Sequence, residues 1–365
     1  MREGGSGRDR NIDILRGYCI VAMVTGHMLY PSLPNAITHV QLAFGGEMGF
    51  VFLSGFVLGM VHPRRVQRDG RRGAMLKLVR RAGTLWLAHV VVLAAAMLAR
   101  EATGLGKWVP PPAEVGGWAN ALLAIATLRL QPDLFDILPM YVLFLLLSPV
   151  VLALLERGRW LIALGASTAV WALAQVGPGW MGWPWSVPGY HPGFRPGAWQ
   201  LLFFGGMCVG YHRATLEQVV WPRIRGVALP AAYGASIVLF AWSQTIRPAL
   251  GLRHLMPDWL FQAVFDREPC RAGRILYFLT MLVVAYHALR HVRWPPLAQR
   301  VFTWLEVFGT RSLYTFLLQT VLAFAISMAP AAWTPRPVRE VAMAAIIVGL
   351  YGMARHRVLG RVIPN

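Results

Sequence analysis

Asp13, Arg16 and His27 share the stretch NIDILRGYCIVAMVTGHMLY, residues 11–30, which is otherwise largely apolar. Each is of a type that does chemistry. A neutral imidazole takes up protons near pH 7 and is the usual general base. A guanidinium presents a planar fork of donors that suits carboxylate or phosphate. A carboxylate three residues before an arginine is within ion-pair reach on a helix. At about 100° per residue, His27 returns to within about 20° of the face that carries Arg16. Along the axis the two are separated by roughly 16 Å, at 1.5 Å per residue. Ionisable side chains inside a hydrophobic span normally face a polar cavity and mark a pathway or a site. The plainer alternatives are a boundary Asp13–Arg16 pair with Arg16 snorkelling to the interface, and a His27 bonded to a neighbouring carbonyl.

Other stretches add candidates. Ser54 lies in GFVFLSGFVLG, residues 49–59. No GxSxG elbow surrounds it, so the nucleophile reading is weaker than that of a helix-packing hydroxyl. The stretch HPRRVQRDGRRGAMLKLVRR, residues 62–81, carries Arg64, Arg65, Arg68, Arg71, Arg72, Lys77, Arg80 and Arg81 against one acid, Asp69. It suits phosphate, or is a plain basic loop on anionic lipid. The stretch GPGWMGWPWSVPGYHPGFRPG, residues 177–197, is packed with aromatic residues. Trp180, Trp183, Trp185, Tyr190 and Phe194 there form either a stacking platform for sugar rings or an interfacial aromatic belt. His39, His191 and His254 lack metal-ligand spacing, and three cysteines without CxxC indicate neither a disulfide framework nor a zinc site. No metal is expected.

The elements that must position these groups are membrane helices. The chain has 365 residues, 56% of them hydrophobic and 14% charged, with a mean hydropathy of +0.49. A soluble domain needs more charged surface than that. Apolar segments of roughly spanning length fall at 11–30, 45–62, 83–100, 134–155, 160–176, 198–212, 226–245, 274–290, 302–329 and 338–354. The expected fold is therefore all-α: a single integral membrane domain over residues 1–365 with about ten transmembrane helices. Residues 117–130 read as interfacial or re-entrant. No signal-peptide cleavage site follows the first apolar run, which is read as a retained span. With the N-terminus in the cytoplasm, alternate loops hold 22 lysines and arginines on the cytoplasmic side against ten outside. That asymmetry puts both termini, residues 1–10 and 355–365, in the cytoplasm. The net charge of +19 is then mostly topology, and no nucleic-acid partner is implied. Gly55–Gly59 and Gly206–Gly210 are GxxxG pairs, for which close helix packing is a sufficient reading.

The pattern Asp-x-x-Arg-Gly with a histidine eleven residues after the arginine resembles the first-helix signature of the membrane acyltransferase-three superfamily. The Ser54-Gly55-Phe56 motif resembles that of its next helix. Three further blocks, DLFDILPMYVLFLLLSPVVLALLERGRW (133–160), HPGFRPGAWQLLFFGGMCVG (191–210) and FGTRSLYTFLLQTVL (308–322), resemble the OpgC family, whose name-giving members succinylate osmoregulated periplasmic glucans. The resemblance implies a bacterial inner-membrane enzyme. It would move an acyl group from cytoplasmic acyl-CoA (succinyl-CoA or acetyl-CoA) to a hydroxyl of an extracytoplasmic glucan or other polysaccharide. In that frame His27 is the general base, or less favourably the carrier of an acyl group. Arg16 and Ser54 are candidate oxyanion donors, with Asp13 pairing Arg16. Arg80, Arg81 and Lys77 hold the phosphates of the donor. Asp136, Trp183, Trp185 and Gln319 are candidates on the acceptor side. Two positions depart from the family pattern: Gln319 stands where a histidine is usual, and Glu47 is displaced by one residue from the usual acid. A transporter or flippase for a glycan or lipid-linked sugar is the alternative, although the repeats with broken helices common in transporters are not visible.

Overall fold

A computed structural model describes residues 9–29, 32–39, 46–106, 108–176, 186–187, 190, 193–245, 257–328 and 335–358. Helices make up 84% of it, and no strand occurs among the described residues. In chain order they are Arg10–His27 (α1), Leu33–Thr38 (α2), Gly46–Thr103 (α3), Trp118–Ala126 (α4), Ile137–Glu156 (α5), Trp160–Val176 (α6), Pro196–Tyr211 (α7), Arg213–Thr215 (α8), Trp221–Thr245 (α9), Asp258–Phe265 (α10), Ala272–His291 (α11), Pro296–Thr310 (α12), Ser312–Ser327 (α13) and Arg336–His356 (α14). Five stretches within them are long and apolar enough to cross a membrane: α3, α5, residues 213–242, α11 and α14. Helices α6 and α13 are apolar but shorter. Large apolar side chains such as Leu146, Leu147, Val150, Leu161, Ile162, Val227, Ile237 and Val238 remain exposed on α5, α6 and α9. That is how a helix presents itself to hydrocarbon, where backbone groups must be satisfied internally and side chains need not be polar.

Two elements differ from their sequence expectation. Residues 63–82, expected as a loop, are helical on both sides of Gly70. The stretch is rich in Arg, with Leu, Lys and Met beside it, all good helix formers, so basic character alone is no reason to unwind. Gly70 breaks it, with φ 71° and ψ 165°, a conformation open essentially to glycine. Helix α3 is therefore two helices joined at one residue. The apolar run 302–329 is also divided, because the backbone leaves helical geometry at Arg311 (φ −124°, ψ 38°) between α12 and α13. The weak segment 117–130 holds only the nine-residue α4, held to α3 where Trp86 Nε1 donates to the Ala126 carbonyl at 2.7 Å.

The bundle is closed by glycines at helix crossings. A Cβ on Gly55 or Gly59 of α3 would lie 1.9 Å or 2.1 Å from a carbonyl oxygen of α7, and one on Gly206 or Gly210 of α7 would lie 2.3 Å or 2.0 Å from one of α3. The two GxxxG pairs thus face each other, as the packing reading required. Gly17 and Gly309 do the same for α1 and α12: their Cβ atoms would sit 1.8 Å from the Leu305 oxygen and 1.7 Å from the Asp13 oxygen. Between α3, α5 and α7 the core is aromatic, with Tyr141 edge-on to Phe203 at 5.9 Å and Phe144 against Phe203 at 5.2 Å. Such pairs each contribute about 0.5–1.5 kcal/mol beyond the area they bury. The start of α1 is anchored where Asp9 accepts from Arg213 Nη2 at 2.5 Å and from the Tyr286 hydroxyl at 2.8 Å.

Candidate functional site

A cavity of about 160 Å³ lies between α1, α3, α5 and the α12–α13 junction. Four guanidinium groups line it: Arg16, Arg65, Arg81 and Arg311. Ser54, Tyr141, Thr310 and Ser312 add hydroxyls, and no aspartate, glutamate or histidine is among its lining residues. Arg16 Nη2 donates to Ser312 Oγ at 2.5 Å, and the Tyr141 hydroxyl donates to Ser54 Oγ at 3.2 Å. Like charges gathered in one cavity repel each other when empty and attract an anion.

The local folding of the chain produces this convergence. The Gly17–Gly309 contact draws α12 against α1, and the break at Arg311 then turns Arg311 and Ser312 toward Arg16. The break at Gly70 folds α3 back on itself, so that Arg65 before the turn and Arg81 after it reach the same space. Arg81 is the most exposed of the four.

Of the three residues expected to bind the donor, only Arg81 lines the cavity. Arg80 is one position further round the helix and exposed. Lys77 is committed to Asp69, with Nζ 2.7 Å from Oδ2. Arg311 was not singled out from sequence, although its signal was the same as that of Arg16, a cation inside an apolar run. Reading 302–329 as one unbroken span concealed it.

The four residues expected to be catalytic do not form one group. Ser54 and Arg16 line the cavity, but His27 does not. No lining group can take a proton from Ser54, which argues against its acting as a nucleophile. Asp13 is buried, and its backbone carbonyl faces Gly309. His27 lies at the other end of α1. It is exposed, with Gln319, Glu47, Arg267 and His39 as polar neighbours. Glu47 Oε1 is 4.0 Å from Arg274 Nη2. Arg274 is buried and donates through Nη1 to the Phe265 carbonyl at 3.1 Å. Asp136 is buried as well, and its Oδ2 accepts from the Gly193 backbone N–H at 3.0 Å. A Cβ on Gly193 would lie 3.2 Å from Arg267 Nη2 and 3.4 Å from Asp136 Oδ2, so this glycine sits between the two charges. The two positions that depart from the family pattern, Glu47 and Gln319, thus both belong to the surroundings of His27.

Trp183 and Trp185 lie outside the described residues, as do Trp180, His191 and His254. Phe194 is buried edge-on against Trp199 at 4.7 Å, with the Arg267 guanidinium 5.3 Å from its centroid, so its ring is not open to a sugar. Tyr190 donates to Glu114 Oε2. Burial first, and then the Glu114 carboxylate, push its hydroxyl up to about 12.

The family model described as OpgC protein matches residues 8–359. No curated protein matches, and neither does any solved structure. With its helical, membrane-type architecture and a family match over nearly its whole length, the chain belongs to the OpgC family.

Proposed function

We propose that this protein is a membrane acyltransferase that carries a succinyl or acetyl group from cytoplasmic acyl-CoA to a hydroxyl of an extracytoplasmic glucan. Family membership supports a glucan-modifying transferase. The observation that carries the finer reading is the cavity lined by four arginines and no acid, with Arg16 on the same helix as an accessible histidine. Acyl-CoA is a thioester on a long flexible arm with phosphates at its far end. Arg16, Arg65, Arg81 and Arg311 suit those phosphates through charge-assisted hydrogen bonds. The arm spans much of the roughly 16 Å of α1 between Arg16 and His27. The basic face, which holds the arginine-rich stretch, is the cytoplasmic one in this reading.

At the far end the acceptor hydroxyl attacks the thioester carbonyl carbon while His27 takes its proton. The tetrahedral adduct collapses with loss of the thiolate, which takes the proton back from His27 and leaves as the free thiol. Glu47, a negative neighbour of the ring, stabilises the transient imidazolium. Gln319, a polar neighbour of the ring, is the group proposed to orient it when the acceptor is bound. The depth of Arg16 and Ser54 argues for a role with the donor and against one as oxyanion donors beside His27. Arg267, close to both His27 and Asp136, and Asp136 itself are the polar groups proposed for the acceptor side.

Thiol release by purified full-length protein tests the reading, with succinyl-CoA or acetyl-CoA and a linear glucan. Release that depends on the glucan and disappears in His27→Ala supports it. Equal release by wild type and variant removes His27 as the base. Glycan movement across vesicles with no thiol released under any condition favours the transporter alternative.

A further inference from the structure

Apart from the arginine cavity, a groove of about 530 Å³ opens between the second half of α3 and the end of α5. Its wall is apolar, built from Met75, Leu76, Val79, Pro149 and Ala153. Its rim is charged, with Arg71, Arg72, Glu156 and Arg157. The single acid is occupied: Glu156 Oε1 pairs with His62 Nε2 at 2.7 Å and Oε2 with Arg71 Nε at 2.6 Å. The exposed side chains of Arg72 and Arg157 form no ion pair or hydrogen bond among the described residues.

The surroundings identify what this shape fits. Along α5, Leu146, Leu147 and Val150 are 47%, 52% and 62% exposed, so the apolar wall continues into a surface built for hydrocarbon. Trp160, 42% exposed and just past the turn at 157–159, is of the type that sits at headgroup level. A soluble anion would use the arginines and leave the apolar wall in water. An amphiphile uses both.

We propose that this groove binds an anionic phospholipid of the leaflet on the basic face. Its phosphodiester lies against Arg72 and Arg157, and an acyl chain lies along Leu76, Val79 and Ala153. The proposal does not depend on acyl transfer and would stand if that reading failed.

The test uses full-length protein in a neutral detergent, titrated with phosphatidylglycerol, with phosphatidylcholine of the same chains and with inorganic phosphate. Retained lipid is counted by native mass spectrometry and the melting temperature is followed in parallel. Phosphatidylglycerol should be retained and should raise the melting temperature, while phosphatidylcholine does neither. Arg72→Gln and Arg157→Gln should each weaken phosphatidylglycerol about fivefold, and together about 25-fold, at about 1 kcal/mol per arginine near a membrane surface. Arg223→Gln/Arg225→Gln, elsewhere among the exposed basic residues, should leave retention unchanged. The single variants alter exposed side chains without partners and should fold, which the lipid-free melting temperature checks. Phosphatidylcholine binding as tightly as phosphatidylglycerol, equal retention by the double variant, or displacement of the lipid by inorganic phosphate would each overturn the proposal.

Discussion

The space around Arg16 and the space around His27 are built on one helix from opposite electrostatics. The first gathers four guanidinium groups and no acid. The second sets Glu47 beside Arg274 and Asp136 near Arg267, so that its charges largely compensate. A region of one sign is costly unless an anion fills it, and so it suits holding a charged donor. A compensated region places charges of both signs around an imidazole, Glu47 among them, which suits a ring that carries charge only transiently. The two also differ in assembly. Arg65 and Arg81 come together across a single turn at Gly70, whereas the surroundings of His27 are drawn from α1, the start of α3, the turn before α11 and the middle of α13.

The sharpest way to break this comparison is His27→Ala. Turnover should fall about 10²- to 10⁴-fold, the usual contribution of a general base, with donor affinity unchanged. Single-turnover rates and donor Kd measured on one preparation separate the two effects, and a parallel loss of both would mean that the regions are not distinct. Next in size, Arg81→Ala or Arg311→Ala should weaken donor binding about 10- to 100-fold, since hydrogen bonds to charged groups contribute about 1.5–3 kcal/mol. Arg80→Ala, which does not line the cavity, should change donor Kd less than about twofold, as an ordinary surface substitution would. Gly17→Ala should destabilise the protein by about 1–3 kcal/mol through overpacking against Leu305, read as a lower melting temperature in detergent. Gly70→Ala acts through the backbone alone. A Cβ there meets no atom, so the cost is strain, about 1–3 kcal/mol. Because it opens the angle between Arg65 and Arg81, it should weaken donor binding while leaving the environment of His27 unaltered. A loss of stability without that loss of affinity would remove Gly70 as the organiser of the cavity.

Several features were legible before any coordinates. Long apolar runs fixed the helical class, because lipid leaves a backbone little alternative. The two GxxxG pairs announced a close crossing, and the structure shows them facing each other. The eleven-residue spacing of Arg16 and His27 set their common face and different depths, because helix geometry is nearly invariant. Composition hid other features. Hydropathy does not distinguish a basic loop from a basic helix, so the turn at Gly70 has no signature in it. A single charge does not interrupt a long apolar run, so the break at Arg311 leaves none either. Glu47 and Gln319 looked like departures from a pattern, since nothing local connects either to His27.

The class of protein and the shared face of Arg16 and His27 follow from composition and spacing alone. Which arginines meet follows from packing. Arg81 and Arg80 are adjacent in sequence, but successive side chains on a helix point about 100° apart, and the fold sends one into the cavity and the other to the surface. It also decided that Arg16 and Ser54 belong together and that His27 stands apart with Glu47 and Gln319. Those partnerships are long-range contacts, set by which helices glycine allows to touch, and no local pattern encodes them.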